Sequence, residues 1–139
     1  MTAFTKFNCF SLDLASKVHN LTSDTLKVLL TNTAPVATNA VLTDITEIAA
    51  GNGYTAGGNT AAIASCAQTS GTTQLVLTNP ATWTATGAVG PFRYAVLYNA
   101  TASGHNLIGW SDYGTALTLA SGDQFSVQFD ATNGALTVA

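Results

Sequence analysis

Apolar positions follow two different periods along this chain. Near the N-terminus Phe4, Phe7, Phe10, Leu14, Val18 and Leu21 recur at steps of three and four, with Lys6, Asp13, Ser16 and Lys17 mainly elsewhere on the wheel. That is the period of one helix face. It predicts an amphipathic helix within residues 1–20, with Thr2 as the cap and His19-Asn20 as the exit. After Ser23-Asp24 the period shortens to two. Thr25-Leu-Lys-Val-Leu-Leu-Thr31 reads as a strand, and residues 32–40, with Pro35, read as loop. Further strands are predicted over 61–68, 73–78, 82–86, 92–98, 106–113, 115–119, 123–129 and 135–138, separated by Ser-Gly, Asn-Pro and Asn-Gly turn signals. Phe92-Arg-Tyr-Ala-Val-Leu-Tyr98 is apolar on both faces and suits a central place. The whole, residues 1–139, is expected to be one domain of mainly β class. It would be a β-sandwich or jelly-roll of about eight strands over 24–139, with one N-terminal α-helix.

The stretch from Leu42 to Gly58 separates the first strand from the rest. It carries Gly51, Gly53, Gly57 and Gly58 together with Ile45, Ile48 and Tyr54. A flexible linker would not hold two isoleucines and a tyrosine so closely spaced, so an ordered, folded-back crossing is expected over 42–58. Asp44 to Ile48 suits one helical turn, and the Asp44/Glu47 spacing suits carboxylates that cap backbone N–H groups. The glycines are not a phosphate loop. Asn59-Thr60 follows them where Gly-Lys-Ser/Thr would be needed, and no lysine or arginine lies between Lys27 and Arg93.

Composition narrows the partners. Only 8% of residues are charged, against 47% hydrophobic, and the balance is Thr, Asn, Ser and Gly. Soluble monomers ordinarily rely on surface charge. A chain this poor in it is expected to cover part of its surface with copies of itself or with a partner. Four scattered cations and a net charge of −3 argue against nucleic acid. Neither a membrane-spanning run nor a signal peptide is visible, so synthesis in the cytoplasm is expected. Asn20-Leu-Thr22 and Asn99-Ala-Thr101 match the glycosylation triplet, as a threonine-rich chain does by chance. Cys9 and Cys66 are expected to be buried free thiols, with a disulfide as the alternative.

Reactive constellations are sparse. The two histidines, His19 and His105, sit at a helix exit and beside a turn, and no Gly-x-Ser-x-Gly elbow is present. A grouping of His105, Asp112 and a serine, or carboxylate pairs Asp44/Glu47 or Asp112/Asp123, are the available alternatives. No catalytic residue, metal site or cofactor is expected. Arg93, the only arginine, falls in the most apolar strand, where an unpaired charge is costly. It is expected to pair with Asp44 or Glu47 and pin the crossing to the sheet, or else to grip a partner's carboxylate. Trp83, Trp110 and Tyr113 could form a sugar platform, although tryptophans in a sandwich more often fill the core.

With these residues in view, the chain resembles the cement, or decoration, proteins of tailed-bacteriophage capsids, the small jelly-roll kind. The resemblance is carried by Ser23-Asp-Thr-Leu-Lys-Val28, Thr31-Asn-Thr-Ala-Pro35, Asp44-Ile-Thr-Glu-Ile-Ala-Ala-Gly-Asn-Gly-Tyr-Thr-Ala-Gly-Gly58 and Gly90-Pro-Phe-Arg-Tyr-Ala-Val-Leu-Tyr98. It implies a non-enzymatic, cofactor-free β-sandwich on the outside of the virion, made in the host bacterial cytoplasm. There it would bridge neighbouring copies of the major capsid protein as a homo-oligomer, a dimer rather than a trimer. Phe4, Phe7, Trp83 and Arg93 are the expected interface residues. The alternative is a head-fibre or tail module that binds host glycans through Trp83, Trp110 and Tyr113.

Overall fold

The computed structural model describes residues 4–139. Among the described residues the chain is mainly β, with a single α-helix. Its strands are β1 (Thr5–Lys6), β2 (Leu26–Thr31), β3 (Asn59–Ala61), β4 (Ile63–Thr69), β5 (Thr72–Leu77), β6 (Trp83–Thr84), β7 (Val89–Asn99), β8 (Leu107–Leu119), β9 (Gln124–Phe125) and β10 (Leu136–Val138). The helix, α1, spans Cys9–Ala15. A five-stranded sheet runs β1-β8-β7-β2-β3, a three-stranded one β10-β5-β4, and β6 pairs with β9. The named strand pairs are all antiparallel.

Alternation along β2 and β7 explains the layering. Leu26, Val28 and Leu30 of β2, with Ala95 and Leu97 of β7, face the main core. Leu75 and Leu77 of β5 and Leu136 of β10 close that core from the smaller sheet. This is a β-sandwich with side chains of both sheets in one interior. Leu29, Val96 and Tyr98 point the other way, into a second cluster with Phe7 and Leu107, flanked by Leu42, Ile45 and Trp110. The central strands are thus covered on both faces, as the doubly apolar 92–98 stretch predicts.

The N-terminal helix is much shorter than its apolar period predicts. Thr5 and Lys6 pair with Trp110 and Gly109 of β8, and the Phe7 N–H continues that ladder to the Ile108 carbonyl at 3.0 Å. Phe4 and Phe7 therefore flank a short edge strand and do not lie on a helix face. Thr2, the expected cap, lies outside the described residues. The helix stops early because Lys17 takes a left-handed conformation (φ 65°). The Val18 N–H then reaches back to the Asp13 carbonyl at 2.9 Å and the Lys17 N–H to that of Leu14 at 3.3 Å. This is the paired closure that ends helices, here without the usual glycine.

The C-terminal half departs from its expected boundaries in several places: the strand expected at 82–86 is only Trp83–Thr84, and β7 begins at Val89, earlier than expected. Strands expected at 106–113 and 115–119 are one continuous strand, β8. It carries a wide excursion: between the pairs Phe92↔Leu117 and Tyr94↔Asp112 the β8 chain makes five steps against two on β7. Gly114, with φ +102°, lies within it. The strand expected over 123–129 pairs only at Gln124–Phe125.

Candidate interaction surface

The glycine-rich crossing is folded against the open flank of β2. Beyond Val28 that flank has no neighbouring strand, because β3 pairs only with Leu26–Val28. The crossing takes its place: Thr31 bridges Glu47, and the Ile48 N–H donates to the Leu30 carbonyl at 3.1 Å. The Tyr54 hydroxyl accepts from the Leu30 N–H at 3.1 Å and donates to Glu47 Oε1 at 2.6 Å. The same carboxylate oxygen accepts from the Gly57 N–H at 2.6 Å, and the Gly57 carbonyl accepts from the Tyr98 hydroxyl at 2.7 Å. Burial, then the neighbouring Glu47, pushes the Tyr54 hydroxyl far above the usual tyrosine range, and burial raises Tyr98 as well. Both phenols stay protonated and act as fixed donors.

Two glycines are required by contact. A Cβ on Gly58 would stand 1.8 Å from the Val28 carbonyl oxygen, and one on Gly53 2.2 Å from that of Thr84. Backbone lies on backbone at both points, so no side chain fits.

Arg93 does not serve this crossing. Its Nε and an Nη donate to the two oxygens of Asp112 at 2.8 and 2.9 Å, a bidentate pair between adjacent strands. The expected partners Asp44 and Glu47 are corrected accordingly: the crossing is pinned by Glu47 and Tyr54, and the arginine instead anchors the β8 excursion. Both side chains of the ion pair are about one-third exposed, at 39% and 34%, so water screens the attraction. The bond to Asp112 raises Arg93; in return Arg93, with the Gly114 N–H at 2.7 Å, holds Asp112 below the usual carboxylate range. Tyr94 lies beside the guanidinium, 5.4 Å from ring centre to Cζ.

The aromatic residues expected to grip a partner are mostly interior. Trp83 is 2% exposed and packs between Tyr54 and Phe125, which corrects its reading as an exposed contact. Phe7, also 2% exposed, lies 4.5 Å from the Trp110 ring. Phe4 is half-buried on Phe129. Tyr113 is exposed at the tip of the β8 excursion, edge-on to Phe125. Trp83, Trp110 and Tyr113 therefore do not form one sugar-binding plane. Leu12 and Val36 are the other large apolar side chains exposed among the described residues, and no sequence period singled them out.

Nor are the candidate reagents brought together. His105 packs edge-on to Tyr98, while Asp112 is committed to Arg93. His19 is buried against Phe10, with its Nδ1 3.0 Å from the Asn99 amide nitrogen. The Asn99 carbonyl oxygen already accepts from Thr101 and Ala102, so its amide donates and the His19 proton sits on Nε2. Burial lowers the His19 pKa against the pull of Asp13 and Asp24. Cys9 and Cys66 are half-buried free thiols, and burial pushes Cys9 up to about 11. A thiol so raised is a poor nucleophile at neutral pH. Among the described residues no three His, Cys, Asp or Glu side chains cluster to hold a metal. Nor is any helix there long and apolar enough to cross a membrane.

The seven acidic residues share one fate. Asp13 accepts from the Asn106 amide, Asp24 from Asn99 and the Asn20 N–H, and Asp44 from the N–H groups of Ala40 and Val41. Glu47 and Asp112 are bound as described. Asp123 accepts from the Ala120 N–H, and Asp130 from Thr132 and Asn133. Each carboxylate closes a loop or ties together two segments of its own chain. Comparison with protein-family models, with curated proteins and with solved structures gave no match to this chain.

Proposed function

We propose that this protein is a structural component of a tailed-phage virion, a cement protein that binds the outside of the capsid and bridges neighbouring major-capsid subunits. One observation carries the reading above all others: every carboxylate is spent holding the fold. An enzyme keeps at least one acid, base or nucleophile aimed at a substrate. Here the acidic groups are bonded within the chain, His19 is buried on Phe10, and the exposed His105 has no acid or nucleophile brought to it by the contacts described above. What remains outside is a surface rich in Thr, Ser, Asn, Gln and Ala with few charges on a sandwich, suited to lying across seams between larger subunits. The motif stretches at 44–58 and 90–98 support the same reading, since they form the pinned crossing and the central strand. In this reading each copy adds a modest interface, and repetition over a closed shell multiplies the gain.

Arg93 with Asp112, and Tyr113 beside them, supply the firmest polar-aromatic projection for such a contact. Phe4 contributes only through its half-exposed edge. The test is co-sedimentation with empty tailed-phage capsids lacking this protein. Saturable retention, with raised resistance of the shell to heat, is the expected result. A protein that stays in the supernatant yet binds immobilised glycans would replace this reading with the receptor-binding one.

A further inference from the structure

We infer that two copies of this chain join through β4, edge to edge and antiparallel, so that their three-stranded sheets become one. An edge strand exposes unpaired N–H and C=O groups, and folded proteins normally guard them. Most edges here are guarded or too short to template a neighbour. β1, β6 and β9 have two residues each, and β3 has three. β10 also has three, and the Lys6 ammonium donates to its Thr137 carbonyl at 2.9 Å. The outer flank of β8 beyond β1 is broken by the excursion near Gly114 and carries Asp112. The flank of β2 beyond β3 is filled by the crossing.

β4 is the exception. It runs seven residues, Ile63-Ala-Ser-Cys-Ala-Gln-Thr69, at the end of the smaller sheet, without charge or proline; five of the seven are exposed, and beyond a bulge between Ile63 and Ser65 its pairing is regular from Ser65 to Thr69. Nor does a charge stand nearby in sequence: no Asp, Glu, Lys, Arg or His occurs from Ile48 to Phe92.

The hairpin geometry says which groups face outward. β4 and β5 are joined by the two-residue turn Ser70-Gly71, both with positive φ (51° and 84°), and Thr69 stands opposite Thr72. In such a hairpin the residues flanking the turn bond each other, and mutually bonded pairs alternate from there. Ala67 with Gln74 and Ser65 with Val76 therefore use their backbone groups inward, while Cys66 and Gln68 point theirs away from β5. A strand that meets these groups completes the ladder. An antiparallel edge is complementary to itself under a two-fold axis, and such pairing consumes the edge, so assembly closes at two. Uncharged side chains on both copies leave no like-charge repulsion to oppose it.

This deepens the homo-oligomer element of the functional reading, but its test needs no capsid, so the two fail separately. Sedimentation velocity in low salt should give the wild-type protein twice the 14.2 kDa mass of one chain. Ala67 is exposed; Ala67→Lys alone and Ala67→Glu alone should each halve that mass, and an equimolar mixture should restore it. Should either substitution disturb folding, judged by near-ultraviolet dichroism, the same two changes at Ser65, also exposed, take its place. The inference is overturned by a wild-type protein of one chain, or of three or more. It is equally overturned by a single-charge variant that stays dimeric, or by a mixture that stays monomeric.

Discussion

The glycine-rich crossing and the β4–β5 hairpin are both short, largely uncharged segments, and they end in opposite situations. Both carry several Thr and Ala, and from Ile48 onward neither carries a charge. The crossing gives up its own regular hydrogen bonding and is held by side chains reaching to backbone, with Tyr54 and Glu47 at the centre. The hairpin keeps a ladder that is regular from Ser65 to Thr69 and is held by it, leaving its outer flank open. Composition therefore does not decide which part of the surface is finished. What decides it is whether a few polar side chains are placed to meet the last unpaired backbone groups.

Substitutions sharpen the contrast. The largest effect is expected from Gly58→Ala, where positive φ combines with a Cβ 1.8 Å from the Val28 carbonyl oxygen. Overpacking of backbone on backbone should cost on the order of 3 kcal/mol or more in urea unfolding. Gly71→Ala, in the hairpin turn with open space around it, should cost only about 1–2 kcal/mol, the conformational term alone. Equal losses would show that the crossing is not the tighter of the two.

Next in size is Tyr54→Phe. It strands the buried Leu30 N–H and removes one donor from Glu47, for an expected loss of about 1–3 kcal/mol by the same measurement. Retained stability would mean the crossing is held by its apolar contacts instead.

A pH effect should follow. His19 is buried and neutral, with its pKa lowered, so the unfolded chain binds a proton that the folded one refuses. Stability is then complete above the ordinary histidine value near 6.5 and declines as pH falls through the lowered one. Unfolding midpoints from pH 7.5 downward should show this decline, and His19→Gln should flatten it. The smallest change belongs to Arg93→Ala, which removes a screened surface pair. Its effect on the midpoint should shrink further with added salt.

Much of this fold was legible in the chain itself. The strands at 26–31 and 92–98 announced themselves because burial on both faces writes an unbroken apolar run. The short turn at Ser70-Gly71 did so because few residues accept its backbone. The N-terminal segment misled because Phe4, Phe7 and Phe10 satisfy a helical spacing whichever way the chain bends. Only the distant edge of β8 decides that Thr5 and Lys6 are strand. The partner of Arg93 was hidden for a similar reason. Asp112 reaches it through an irregular register, and nothing local predicts a five-against-two mismatch. Trp83 was half legible: the sandwich made burial the commoner outcome, and the interior is where it lies.

The small number of ionisable groups has a consequence for the world outside the molecule. With seven acids and four cations in the whole chain, it meets its surroundings as a body of low charge. Long-range attraction then contributes little to any grip it exerts, which should hold in dilute buffer and in strong electrolyte alike.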